Sequence, residues 1–326
     1  MLPNWIKTFR RRWIGSRTTY RHEPIRLNLQ PLEDRTVPTL ASPPTQFLAT
    51  DNTLRAIANP DLNADGKADL AALDTDGTFT VALNDGNNGW TSVTSTNLGR
   101  TDVWGMSFGL LDTDLYTDCV IQTSDGVMIG RGDGQGRLTN WRSRGLGAAG
   151  SFAGVGGARV DPAIGYLGID LFADIVAVAP ATNEFVVLRG DGTGEFGAPL
   201  RYASGGVSPV TAWVGNFVGE GTNDVAVGHR DGTLTIFDGV ADGSLTRSAT
   251  TVSGLGTVTG LSAADVNGDG ELDLVVSGTR PGQRVVEPPR SGPGSGHPQR
   301  RLRPGFDCLD NHERNSWRRR RVCRVP

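Results

Sequence analysis

The sequence predicts an all-β protein made of repeats of about fifty residues, and three observations carry that prediction. First, a short apolar strand led by Asp recurs: DLAAL at Asp69, DCVIQ at Asp118, DIVAV at Asp174, DVAVG at Asp224 and DLVVS at Asp273. The spacings are 49, 56, 50 and 49 residues, and a fixed period of this kind marks a repeat architecture. Second, the first four anchors are each followed by an alternating strand and a Gly-rich turn, in VALNDGNNGW, MIGRGDGQGRL, VVLRGDGTGEF and TIFDGVADGSL. Asp-Gly turns between alternating strands read as hairpins. Third, Gly is abundant at 45 residues, aromatics make up 7%, and helix formers are sparse in the middle of the chain. A repeat then holds about four strands, near Leu70–Leu73, Phe79–Leu83, Trp90–Thr96 and Val103–Leu110 in the first copy. That is the arithmetic of a β-propeller blade. The chain has room for four to five blades, an incomplete set. A stacked solenoid is the alternative, but complete hairpins within each repeat favour the blade.

Three segments follow in order. Residues 1–45 carry 8 Lys/Arg against 3 acids. They contain no apolar core of the roughly 7–15 residues that a secretory leader needs. Within LNLQPLEDRTVP, the run Leu32-Glu33-Asp34-Arg35 resembles the N-terminal LEDR-type signature of large exported proteins of planctomycete bacteria. That resemblance implies a targeting or processing segment. The competing reading is a disordered basic arm that holds anionic surfaces non-specifically.

Residues 46–283 form the repeat body, with 13 Lys/Arg against 28 acids. Such an acidic surface repels nucleic acid and suits divalent cations. The cations have an evident place. In DLNADGKADLAAL the side chains at positions 1, 3, 5 and 9 are Asp61, Asn63, Asp65 and Asp69, all hard oxygen donors of the kind Ca²⁺ prefers. Gly66 at position 6 permits the sharp turn, and Lys67 at position 7 offers only its carbonyl. An EF-hand needs a bidentate Glu at position 12, where this loop has Ala72, and a strand follows rather than a helix. The pattern recurs in DVNGDGELDLVV, with Asp265, Asn267, Asp269 and Asp273 in the same places, Gly270 at the turn and the Glu271 carbonyl at position 7. The competing reading is a solvated Asx turn that needs no metal.

The two D-x-N-x-D-G-x-x-D loops, with the GDGxG turns at Gly132–Gly136 and Gly190–Gly194, resemble the FG-GAP/VCBS repeat family over about residues 46–280. These units are similar to the blades of integrin α-subunit propellers. The resemblance implies a calcium-stabilised propeller, secreted or on the cell surface, used for adhesion or for contact with an extracellular protein or glycan. It equally covers modules attached to catalytic domains. The middle loops depart from the pattern. The second has Leu110, Asp112 and Asp114 at positions 1, 3 and 5, the third has Tyr166, Gly168 and Asp170, and the fourth has Asn216, Val218 and Glu220. No metal is expected at the third, and the second and fourth are marginal.

Residues 284–326 carry 11 Lys/Arg against 4 acids, are rich in Arg, Pro and Gly, and lose the period. The abrupt change is what a shifted reading frame near Arg280–Val286 produces, and disorder is expected there.

Several tempting sites have plainer explanations. RGD at Arg131–Asp133 and Arg189–Asp191 falls in the repeated hairpin turn, where backbone geometry already demands Gly-Asp-Gly. The body has a single His, His229, and no nucleophile elbow, phosphate loop or dinucleotide fingerprint. Cys119, Cys308 and Cys323 make no disulfide framework. No run reaches transmembrane length. Trp90, Trp104, Trp141 and Trp213 share a similar strand phase, which reads as packing between blades rather than a sugar platform. The expected function is a non-enzymatic calcium-binding repeat module of an exported bacterial protein. The alternative is the accessory domain of a polysaccharide-active lyase or hydrolase.

Overall fold

The computed structural model describes residues 53–279 apart from 88, 219, 220 and 269, together with the backbone of 284–287, 308–310 and 321–324. The predicted targeting segment 1–45, most of the tail and the predicted ligand Asp269 lie outside the described residues.

Five separate sheets follow one another along the chain. The first holds β1 (Leu54–Ala58), β2 (Leu70–Asp74), β3 (Thr78–Asn84) and β4 (Trp90–Asn97), each antiparallel to the next. The second holds β5 (Val103–Gly109), β6 (Asp118–Thr123), β7 (Gly126–Gly132) and β8 (Leu138–Gly145). The third holds β9 (Ala163–Gly165), β10 (Asp174–Ala179), β11 (Glu184–Leu188) and β12 (Leu200–Ala203). The fourth holds β13 (Pro209–Gly215), β14 (Asp224–His229), β15 (Leu234–Gly239) and β16 (Leu245–Val252). The fifth begins with β17 (Val258–Ala264), β18 (Asp273–Gly278) and β19 (Arg284–Glu287). Two short strands, β20 (Cys308–Asp310) and β21 (Arg321–Arg324), complete its order β17-β18-β19-β21-β20. This is a multi-blade β-propeller arrangement, with one sheet per repeat as the spacing predicts.

Two boundaries differ from the sequence reading. The strand at Val103 opens the second sheet instead of closing the first, and β1, upstream of the first anchor, takes its place. The reason is local: the anchor loop joins antiparallel neighbours β1 and β2, so it lies inside a blade. The segment 98–102 is the connection between blades. The second difference is β19, which pairs with β18 although residues 284–287 fall in the stretch expected to lack order.

Burial explains the composition of each strand. The first strands adjoin in succession, β1 with β5, β5 with β9, β9 with β13 and β13 with β17. Sheets therefore stack face to face, and the second and third strands are covered on both faces. Their sequences are accordingly continuous apolar runs, as in Ile175-Val176-Ala177-Val178, all buried. Fourth strands sit at the outer edge and expose Thr, Ser and Arg, as in WTSVTSTN and LTNWRSRG. The core is four clusters, each filling one gap between neighbouring sheets. Leu73, Phe79 and Val81 meet Met106, Ile121 and Met128 in the first, and Ala226 and Ile236 meet Leu274 and Val276 in the last.

One feature recurs in every blade. The anchor Asp is buried at the start of the second strand, where its carboxylate accepts a backbone N–H from the loop before it and, in the first four blades, another from the end of the third strand. Asp69 takes Leu62 N–H at 2.9 Å and Asn84 N–H at 2.8 Å. Asp118 takes Leu111 and Gly132 at 2.9 and 2.8 Å, and Asp174 takes Leu167 and Gly190, both at 2.8 Å. Asp224 takes Phe217, Val218 and Gly239 at 2.7, 2.9 and 2.9 Å, and Asp273 takes Val266 at 3.1 Å. In the first four blades the carboxylate ties the loop before its strand to the end of the third strand. Asp118→Ala should strand two buried donors and cost about 3 kcal/mol in denaturant unfolding. The loss should be equal in calcium and in chelator, because the second loop lacks the full oxygen set. A change within error would show that the carboxylate is dispensable.

Candidate functional site

Two regions carry chemistry: the anchor loops on one rim, and a cavity bounded by the first strands.

In the first loop, positive φ at Ala64 and Gly66 folds the chain tightly. Asp61 accepts Asp65 N–H at 3.2 Å and Gly66 N–H at 2.9 Å. Asn63 Oδ1 accepts Asp65 N–H at 3.2 Å, and Asp65 Oδ1 accepts Lys67 N–H at 2.9 Å. The structure thus brings Asp61, Asn63 and Asp65 into one turn, while Asp69 points inward to its two N–H donors. The Lys67 ammonium lies 3.2 Å from Asp65 Oδ2, and with the Lys67 N–H it holds the Asp65 carboxyl below its usual range. The donor chemistry suits a hard divalent cation. The placement fits in part: among the described residues no three acidic, His or Cys side chains converge as a metal cluster. In the fifth loop Asp265 accepts Gly268 and Gly270 N–H at 2.6 and 2.8 Å, the same turn chemistry. Asn267 and Glu271 lie in that exposed loop beside it.

The second and third loops contain a cation of their own. Arg131 pairs through Nη1 with Asp112, at position 3 of the second loop, and donates from Nη2 to Thr193 O at 2.8 Å in the next blade. Arg189 reaches Asp170 at 2.5 Å, lies 3.1 Å from the buried Asp174, and donates to Asp242 O at 3.2 Å in the fourth blade. Each guanidinium neutralises its own loop and binds the hairpin turn that follows. It also explains two turn glycines, since a Cβ on Gly194 would fall on Arg131 and one on Gly243 on Arg189. The arginines of both RGD triplets are therefore held inside blade contacts, in line with the structural reading of that motif. The first blade has Leu83 at the corresponding place, immediately before Asn84.

The cavity measures about 510 Å³ and is lined by all five first-strand segments. Phe108 and Ser107 come from β5, Trp213 and Thr211 from β13, and Leu261 from β17. Asn59 follows β1, and Arg159 and Asp161 precede β9. Asp161 accepts Arg159 Nε at 2.7 Å and Met106 N–H at 3.1 Å. Burial pushes its carboxyl above the ordinary range, against the pull of Arg159 and the amide. Trp213 is 37% exposed and lines the cavity. The tryptophans do not share one environment: Trp141 packs edge-on against Phe79 at 5.6 Å, and Trp104 lies under Arg55 at 4.7 Å. Sequence reasoning missed this site because its residues come from five repeats. His229 is buried, with Nδ1 3.1 Å from Thr233 O, and burial lowers its basicity.

Fold and rim together define a multi-blade propeller with Asp-anchored loops. Comparison with known families agrees: residues 216–276 match the FG-GAP-like repeat. No curated protein sequence matches the chain. Among solved structures, the chain is similar to an Agrocybe aegerita lectin solved for its specific recognition of non-reducing terminal N-acetylglucosamine. That likeness has 19% identity and a TM-score of 0.50, over 68% of this chain and 60% of that one. BBS1N in complex with ARL6DN gives 14% identity and a TM-score of 0.48, over 72% of this chain and 65% of the other. The chain thus spans less than two thirds of the structures it matches. No helix among the described residues is long and apolar enough to cross a membrane.

Arg189→Met should destabilise the third blade by about 1.4 kcal/mol at neutral pH, because without its cation buried Asp174 protonates rather than staying ionised. Asp174 already sits at about 6, above the ordinary 3.8, with burial the main cause. A raised value means that folding favours the protonated form, so its stabilising effect is complete at low pH and is lost as pH rises through about 6. Without Arg189 the ionised form costs more. The gap in unfolding free energy between wild type and variant should therefore open as pH rises through about 6 and narrow towards about pH 4. A gap independent of pH would exclude this coupling.

Proposed function

We propose that the chain is a non-enzymatic binding or scaffolding module that takes a glycan or protein ligand outside the cell. The observation that carries this reading is the open cavity bounded by the five first strands, with the exposed ring of Trp213 near the Asp161–Arg159 pair. An aromatic face stacks on the apolar side of a pyranose, and an acid–base pair hydrogen-bonds its hydroxyls. The likeness to a lectin supports a sugar over a protein ligand, and N-acetylglucosamine-terminated oligosaccharides are the first probes. On this reading the first and fifth loops take Ca²⁺ weakly, with a Kd on the order of 10⁻⁴–10⁻³ M. Asp61, Asn63, Asp65 and the Lys67 carbonyl would hold the first ion, and the ion would relieve carboxylate repulsion on the rim. The basic N-terminal segment would serve export, placing the protein at the cell surface or in the medium.

Titration calorimetry with such oligosaccharides should show binding that Trp213→Ala weakens by about tenfold or more, one lost stacking contact. Thermal unfolding of the same protein should rise with millimolar Ca²⁺ and not in Asp61→Ala/Asp65→Ala. No binding to any glycan or protein tested, combined with calcium-dependent turnover of acidic polysaccharides, would replace this reading with the enzymatic one.

A further inference from the structure

The second and third anchor loops differ from the others in what they show to water. At position 1 the first and fifth loops have Asp61 and Asp265, where the second and third have Leu110 and Tyr166. At position 6 the first, fourth and fifth have Gly66, Gly221 and Gly270, all at positive φ, where the second and third have Leu115 and Leu171. At position 7 Tyr116 and Phe172 stand where the others have Lys67, Thr222 and Glu271. The left-handed turn is kept all the same, with φ of 67° at Leu115 and 60° at Leu171. In that region a Cβ crowds the following carbonyl, so Leu destabilises a position that Gly fills without strain. The leucines are not buried in exchange. Among the described residues they are the two most exposed large apolar side chains, at 73% and 80%.

The rings beside them are seated on backbone. A Cβ on Gly134 would fall on the Tyr116 ring and one on Gly192 on the Phe172 ring, so each ring lies against the hairpin-turn glycine of its own blade. The two loops form one ledge, since Asp112 of the second bridges to Thr193, next to Gly192. Exposed Ile169 extends it, its N–H donating to Ala241 O at 3.3 Å in the following turn. None of these side chains lines the cavity of the first strands.

Charge indicates what covers the ledge. Asp133 and Asp191 directly precede the two seat glycines, and Asp114 directly precedes Leu115. Arg131 and Arg189 pair with Asp112 and Asp170, and among the described residues no cation pairs with these three. A second copy of this chain would bring the same acids against one another, and an anionic membrane would be repelled. The complement is a surface that offers apolar side chains framed by Lys or Arg.

We propose that the ledge of the second and third anchor loops is a docking surface for a protein partner whose contact segment combines large apolar side chains with Lys or Arg. Leu115 and Leu171 pack on the apolar side of that segment, and Asp114, Asp133 and Asp191 meet its cations. The left-handed leucines then have their reason in what they bind, outside the fold.

The test uses the full chain and a synthetic Leu/Lys amphipathic peptide, read by fluorescence anisotropy at low and high salt. The same peptide with Glu in place of Lys, and vesicles of zwitterionic and of anionic lipid, are the controls. Wild type should bind the Leu/Lys peptide, more weakly at high salt, and neither control. Leu115→Gly/Leu171→Gly should weaken binding by about tenfold or more, two lost apolar anchors. Its thermal unfolding should come at the wild-type temperature or above, because Gly relieves both left-handed positions. Asp133→Asn/Asp191→Asn keeps an oxygen for the turn amides and should also weaken binding. No binding of the Leu/Lys peptide, or binding that the glycine pair leaves unchanged, would overturn the proposal. A glycine pair that unfolds at lower temperature would assign the leucines a structural role and overturn it as well. Equal binding of the Leu/Glu peptide would replace it with a purely apolar contact, and binding of vesicles with a lipid surface.

Discussion

The fold depends on a carboxylate buried at the start of every second strand. A charge in that position is costly unless its oxygens are met by donors, and the first four anchor Asp residues have them from two segments. The consequence is geometric. Two N–H groups, one from the loop before the strand and one from the end of the third strand, converge on a single side chain. That convergence fixes the loop against its own sheet and leaves the second loop residue facing outward, towards the next blade. Blade order is thus set one residue away from a hydrogen bond. The interaction does not need a cation, since it persists in blades whose loops have lost most of their oxygen donors.

The surrounding charge is handled in two ways. In the first and fifth loops the acids remain on an exposed rim and fold upon their own amides. In the second and third, Arg131 and Arg189 bring a guanidinium to the loop and extend it to the next turn. A guanidinium suits this task because it donates in several directions from one plane, so one side chain neutralises an acid and binds a carbonyl. In the second and third loops, which have fewer oxygen donors than the first, an Arg thus stands in as the neutralising group, and the RGD triplets follow from that placement.

Much of this was legible in the sequence, and the omissions have physical causes. The period, the strand character and the number of repeats follow from the five anchors and the Asp-Gly turns. A period does not give an origin, however, so Val103–Leu110 could be attached to either neighbouring blade. Only the antiparallel pairing of β1 with β2 settles it. The function of Asp69 was ambiguous for another reason: an acid nine residues into an Asx loop is equally suited to a metal and to two amides. Comparing it with Asp174, whose loop has Tyr166 and Gly168 in place of ligands, distinguishes the two uses. The cross-blade contacts of Arg131 and Asp161 gave no signal in the sequence, because Thr193 and Met106 lie more than fifty residues away.

The stacking of like units also orders the stability of the molecule. Each sheet buries apolar surface against its immediate neighbours and little else, so stability approximates a sum over adjacent contacts. The second, third and fourth blades each take part in two such contacts. Among the described residues the first and fifth each take part in one. Among these residues, opening the second, third or fourth sheet breaks two such contacts and opening the first or fifth breaks one, so the interior sheets are the last to open.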